Sequence, residues 1–194
     1  MNGIGKTTKR NIKTLQLTGK NKIVLNKVPL AFFQHDVLQV ARELPGKIIV
    51  RRFEDNTVKR YRITEVEAYR GEEDLACHAS KGRTRRTEVM YQQGGKVYVY
   101  LIYGMYWLLN FVTNPADFPA AVLIRGVENI SGPGRLGREL QLDASFYGED
   151  LSTSERIWLE DDGMKPAVSV SKRIGVDYAG NWALKPWRYV AQVR

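Results

Sequence analysis

The chain has 194 residues, enough for one well-packed domain and too few for two ordinary ones, and 43% of them are hydrophobic. Its formal net charge of +9 invites a polyanionic partner, and residues 1–27 hold seven basic side chains and no acid. One cysteine, Cys77, excludes an internal disulfide and a multi-cysteine zinc site, and two histidines, His35 and His78, are too few for a histidine-rich metal centre.

Residues 1–27 have few large apolar side chains and no sustained period, which predicts a flexible basic arm ahead of a domain over 28–194. No apolar secretory segment follows the first charges, so the expected setting is intracellular. That means cytoplasm or nucleoid in a bacterium, nucleus or organelle in a eukaryote. After Pro29, the residues Val37, Leu38, Val40, Ala41 and Leu44 recur at helical spacing. They predict one helix over Leu30 to Leu44, ended by Pro45-Gly46. Lys47 to Phe53 reads as a strand, Glu54-Asp55-Asn56-Thr57 as a hairpin turn, and Val58 to Tyr69 as continuing strand. Arg70 to Glu88 is polar and mixed, with a short helix expected near Asp74 to His78.

Gly94-Gly95 turns into the uncharged run Val97 to Val112, whose β-branched and aromatic residues read as a strand. The run is too short and too rich in tyrosine for a membrane span, which needs about 20 apolar residues. Ala120 to Val127 is a further strand, with Arg125 inside an apolar stretch. Ser131-Gly132-Pro133-Gly134 marks a turn before a short helix containing Arg135 to Leu142, and the rest reads as irregular with short strands.

Several residues carry more than packing. A buried tyrosine hydroxyl must find a partner. Tyr98, Tyr100, Tyr103 and Tyr106 in one run therefore suggest either a surface for flat rings or an ordinary strand with its hydroxyls at the surface. Side chains alternate along a strand, so Glu65, Glu67 and Tyr69 share one face and Thr64, Val66 and Ala68 the other. Two carboxylates beside an aromatic ring do not build a core. They fit an exposed face neutralised by Lys or Arg, or a general base at the floor of an aromatic cleft. Arg125 needs an anion or several acceptors, and Glu65 and Glu67 are available. Gly132-Pro133-Gly134-Arg135-Leu136-Gly137 lacks both the Walker Lys-Ser/Thr and the GxGxxG pattern. Its amides near a helix start suit either a structural turn or a phosphate. Rings and carboxylates on a basic chain point toward chemistry on a nucleobase.

Taken in order, these blocks resemble the alkyladenine (3-methyladenine) DNA glycosylase family, of the methylpurine type. The resemblance runs through Glu65-Val66-Glu67-Ala68-Tyr69, Asp74, His78, the block Tyr98 to Tyr106, Asn110 and Leu123-Ile124-Arg125. It continues through Gly132-Pro133-Gly134, Arg173-Ile174-Gly175-Val176, Trp182-Ala183 and Pro186-Trp187-Arg188, covering roughly residues 29–192. Gly82-Arg83-Thr84-Arg85-Arg86 departs from it, because many relatives carry a proline before the second arginine.

The resemblance implies a single mixed α/β (α+β) domain with a curved antiparallel sheet flanked by helices. It implies a monofunctional base-excision-repair enzyme that needs no metal, organic cofactor, membrane or obligate protein partner, and one domain with one active site favours a monomer. Its partner would be duplex DNA containing 3-methyladenine, 7-methylguanine, hypoxanthine or ethenoadenine, flipped out of the helix before the N-glycosidic bond is hydrolysed. Glu67 takes the role of the base that activates water, and Arg125 lies near that water and the target's phosphate. Tyr69 is one wall of the base pocket, His78 and Tyr100 the other, and Asn110 the residue that disfavours normal guanine. Tyr103 is the wedge that fills the gap in the duplex. Arg83, Arg85, Arg86, Gly134 and Arg135 are read as contacts to the DNA backbone. A non-catalytic nucleic-acid-binding module, which has no need of Glu67, and a hydrolase of free nucleosides are the alternatives.

Overall fold

The long strand β3 (Val58–Arg70) organises the molecule, and the computed structural model describes residues 25–192 around it. Before it come β1 (Asn26–Lys27), α1 (Val37–Glu43) and β2 (Ile48–Arg52). After it come β4 (Val97–Ile102), β5 (Tyr106–Val112), β6 (Ala120–Val127), β7 (Ile130–Ser131) and α2 (Pro133–Glu139). The chain closes with β8 (Ile157–Asp161), β9 (Val168–Ser171) and β10 (Arg188–Ala191). The main sheet runs β1-β8-β2-β3-β6-β5-β4, and β10 adds to β3 with β9 beyond it. All these pairings are antiparallel, so the mixed α/β expectation holds.

The first half of β3 pairs with β2, from Arg52↔Val58 to Ile48↔Arg62. Its second half lies between β6 and β10. The register with β6 shifts between Ile63 and Val66, a bulge of the kind that bends a strand and re-aims side chains near functional sites. Alternation then sorts the residues. Val66 and Ala68, Val97 and Val99, Leu109 and Phe111, and Val122 and Ile124 join one core with Val37, Val40 and Ala41 of α1 and Leu136 of α2. The intervening residues face the other way.

The structure corrects four expectations. The helix expected over Leu30 to Leu44 is broken: Leu30–Gln34 is a 3-10 turn, His35 is extended, and α1 begins after Asp36. The Asp36 carboxylate accepts from Leu38 N at 2.9 Å, so this residue caps a new helix instead of continuing the old one. The periodicity ran on because Phe33, Val37, Val40 and Leu44 all face the same core. The strand expected over Val97 to Val112 is a hairpin, turning at Tyr103 (φ 54°) and Gly104 (φ 65°). Two successive positive φ angles suit the right-handed twist of the flanking strands, and Gly104 was the signal for the turn. The helix expected near Asp74 to His78 is a turn followed by a 3-10 segment at His78–Lys81, since Asp74 accepts from the amides of Arg70 and Ala76. The helix expected from Arg135 starts at Pro133 and ends at Glu139.

Of the basic arm, residues 1–24 lie outside the described residues. Asn26 and Lys27 belong to the sheet, pairing with Asp161 and Glu160. Cys77 is buried, and desolvation pushes its thiol up to about 12, in keeping with a packing role. Among the described residues no helix is long and apolar enough to cross a membrane.

Candidate active site

On the face of the sheet away from the main core, alternation presents Glu65, Glu67 and Tyr69 from β3 and Leu123 and Arg125 from β6. Leu108 and Asn110 join them from β5, and Tyr98 and Tyr100 from β4. Two segments fold over this face, one carrying Ala76, His78, Arg86 and Met90, the other Ile174 to Tyr178. Between them lies a cavity of about 400 Å³, lined by Tyr69, His78, Tyr98, Tyr100, Asn110 and Arg125 among others. A larger groove of about 660 Å³ passes the β2–β3 turn and α2, but Phe53 is its one aromatic ring.

Glu67 has no exposed surface and lies behind the lining of the smaller cavity, bonded to three residues that do line it, Tyr69, Arg125 and Ile174. Its Oε1 accepts from Ile174 N at 2.8 Å, and its Oε2 from the Tyr69 hydroxyl at 2.9 Å and Arg125 Nη1 at 3.4 Å. Burial pushes the Glu67 carboxyl above the usual carboxylate range. Arg125, the Ile174 amide and the Tyr69 hydroxyl draw it back, and Glu65 opposes them. A carboxylate with a raised proton affinity, held ionisable by a neighbouring cation, suits a general base. Arg125 also donates through Nε to Glu65 Oε1 at 2.9 Å, and Arg188 Nε donates to the same oxygen at 2.7 Å. The reading of these carboxylates as an exposed face is corrected: Glu67 is fully buried and Glu65 nearly so, although their pairing with arginine, Arg125 and Arg188, is present.

The aromatic residues converge. His78 meets Tyr100 edge-on with centroids 4.5 Å apart, and Tyr98 lies 5.5 Å from Tyr100. His78 Nδ1 is 2.8 Å from the Tyr98 hydroxyl, and Arg86 Nη2 is 3.4 Å from His78 Nε2. The second contact needs a neutral ring accepting at Nε2, so Nδ1 carries the hydrogen and donates to Tyr98. Desolvation, with Arg86 adding to it, lowers the His78 pKa to about 4, which keeps the ring neutral near pH 7. Burial holds the Tyr100 hydroxyl up at about 12, so it stays protonated. Asn110 Nδ2 donates to the carbonyls of Tyr98 (3.1 Å) and Leu108 (3.3 Å), leaving its amide oxygen to face the cavity.

The remaining sequence-level residues ring this cavity unevenly. Tyr103 sits at the hairpin tip, 81% exposed, and lines the mouth. Gly134 approaches the Tyr106 ring, where a Cβ would lie 3.0 Å from ring carbon, and Arg135 is exposed on the same groove. Arg86 lines the cavity and covers the Tyr100 ring at 5.1 Å. Arg85 is exposed. Arg83 turns away to Glu88 (2.7 Å) and Asp117 (3.4 Å).

Sequence reasoning left Asp74, Arg173 and Arg188 without individual roles and Tyr98 without its histidine partner. An acid and an arginine 99 residues apart leave no periodic trace that would pair them.

Comparison with known proteins gives one consistent answer. The family model described as Methylpurine-DNA glycosylase matches residues 31–131 and 128–194. A Psychrobacter cryohalolentis protein is 39% identical over 201 residues, covering 88% of this chain and 94% of its own. Relatives from Methanocella arvoryzae (43%; 84% and 90% covered) and Rickettsia felis (44%; 88% and 94% covered) are as similar. All three carry 3-methyladenine DNA glycosylase as a provisional name.

Proposed function

Because the chain belongs to the methylpurine-DNA glycosylase family, we propose that it releases alkylated or deaminated purines from duplex DNA, with Glu67 as the base that activates water. As a member it is an enzyme that hydrolyses N-glycosyl bonds, a DNA-3-methyladenine glycosylase. The observation that carries the mechanism is the buried Glu67 carboxylate beneath a cavity walled by Tyr69, His78 and Tyr100.

In this reading the damaged nucleotide leaves the base stack, which costs a few kcal/mol. Stacking on aromatic walls, about 1–3 kcal/mol per base in single-strand binders, offsets that cost. A cationic base such as 7-methylguanine gains further attraction to electron-rich rings. The longest of Glu67's three contacts is the 3.4 Å one to Arg125, and in this reading that contact gives way to admit water to Oε2. The bond from C1′ to the purine nitrogen breaks with its electron pair leaving on the base. The water oxygen bonds to C1′, and its proton passes to Glu67. The carboxylate also offsets positive charge developing on the sugar. Tyr103 fills the space the nucleotide leaves, and Asn110 offers its fixed amide oxygen to the base edge.

A single-turnover assay tests this on a duplex with one hypoxanthine or one ethenoadenine, using hot alkali to cut abasic sites. Wild type should cleave at the lesion, and Glu67→Gln should bind the duplex yet lose base release by about 10²-fold or more, on the order of a lost general base. An active Glu67→Gln enzyme sinks the role of Glu67. Binding without release by the wild type as well would favour a non-catalytic DNA-binding module.

A further inference from the structure

Behind the cavity lies a buried ion pair that the mechanism above does not use. Arg173 and Asp74 both have fully buried side chains. Arg173 Nη1 and Nη2 clasp the two Asp74 oxygens at 2.6 and 2.8 Å. The same two nitrogens donate to the carbonyl of Ala68 (2.9 Å), one residue from both Glu67 and Tyr69, and to that of Trp182 (3.1 Å). The guanidinium lies 4.8 Å from the Tyr69 ring centroid and 5.0 Å from that of Trp187. Among the described residues its Nε has no acceptor, so the fork and the two rings set its position. The next residue, Ile174, is the one whose amide donates to Glu67 Oε1.

A buried ion pair is weak as a source of stability, because desolvation offsets much of the attraction. Its geometry specifies more than its energy contributes. The planar fork binds four acceptors at once and so locks three separate stretches of backbone together. We propose that the Asp74–Arg173 pair is a positioning device, holding the Ile174 amide on the Glu67 carboxylate and the Tyr69 ring against the base cavity. Neither residue touches the reacting atoms; each acts through its neighbours. The proposal rests on the reading of Glu67 as the base.

The test compares wild type with Asp74→Leu/Arg173→Met, which removes both charges and leaves no orphan, and with Arg173→Lys, which keeps the charge but not the fork. The groups facing Glu67 are Glu65 and Tyr69 on β3, Arg125 on β6, Arg188 opposite it on β10, Tyr100 on β4 and Arg173 itself. All but Arg173 remain in every variant. Loss of the Ile174 amide should move the Glu67 titration midpoint, read by carbon NMR of its labelled carboxyl, to higher pH. Base release from hypoxanthine duplex, measured well below the melting temperature, should fall about 10²-fold in the double variant, the usual cost of a misplaced group. Its acid limb should move with the Glu67 midpoint, and Arg173→Lys should recover little of either. A lower melting temperature with unchanged rate, pH limb and Glu67 midpoint would mean a merely structural pair and overturn the proposal. If the double variant does not fold, Asp74→Asn carries the same measurements. Absence of release by wild type would overturn the glycosylase reading instead, and the Glu67 midpoint would still decide the positioning role.

Discussion

At the scale of single residues, the site is built from groups whose charge states the fold has shifted. His78 has the simplest consequence. Its folded pKa, about 4, lies below its ordinary 6.5 because burial and Arg86 disfavour the imidazolium. The unfolded chain therefore binds a proton that the folded one refuses. The stability this represents is complete above pH 6.5 and is lost as pH falls toward 4. His78→Gln should lose less stability than wild type on acidification through that window, measured by urea unfolding at several pH values. Parallel pH dependences would show that the ring is not desolvated. Asp150 titrates lower, between 3.8 and about 2, and so does not mask the effect. Glu67 acts in the opposite direction. Its raised affinity for a proton makes the folded state gain relative stability as pH falls, and that gain is lost as pH rises through its folded pKa.

At the scale of elements, the β4–β5 hairpin does two jobs. Its inward residues Tyr98, Tyr100, Leu108 and Asn110 build the cavity, while its tip places Tyr103 outside it. The tip turns through positive φ at Tyr103 and Gly104, and Met105 N closes the turn on Ile102 O at 3.1 Å. The hairpin is braced from behind by α2, where Gly137 lets the helix approach so closely that a Cβ would lie 1.8 Å from the Trp107 carbonyl oxygen. A rigid support under an exposed aromatic is what a wedge requires. Tyr103→Ser should leave stability within about 0.5 kcal/mol, as for other exposed positions, while slowing base release from duplex DNA. The same variant should act normally on a lesion in single-stranded DNA, where no stack must be held open. Equal slowing on both substrates would contradict the wedge.

At the scale of the whole molecule, charge is distributed against the site. The net +9 is concentrated in residues 1–27, whereas many arginines of the folded part are committed to acids, including Arg62, Arg125, Arg156 and Arg173. Arg86 at the cavity and Arg135 on the adjoining groove stay exposed, as does Arg85 in the segment before Arg86. If the arm neutralises DNA phosphates, removing residues 1–24 should weaken duplex binding and flatten its salt dependence, the slope falling by about 0.9 for each phosphate the arm had covered. Single-turnover base release at saturating enzyme should not change, because the cavity and Glu67 lie within the remaining residues. An unchanged salt slope would remove the arm from the interface.

Most of the strands were legible in the chain, and so was the face of β3 that each of its residues takes. Alternation is a local property: two-residue periodicity in Glu65-Val66-Glu67-Ala68-Tyr69 separates the core side from the cavity side before any neighbour is known. Which groups those residues meet follows from contacts distant in the chain. The 107-residue span from Ile174 to Glu67, the 99 between Arg173 and Asp74 and the 123 between Arg188 and Glu65 carry no periodic signal. Packing also decided that Leu30 to Leu44 breaks at Asp36 and that Val97 to Val112 folds back at Gly104, since a cap or a turn competes with a continuous run on equal local terms. The raised proton affinity of Glu67 belongs to the tertiary structure for the same reason. Desolvation is produced by everything that closes over a side chain, and here that cover comes from strands and loops distant in the chain.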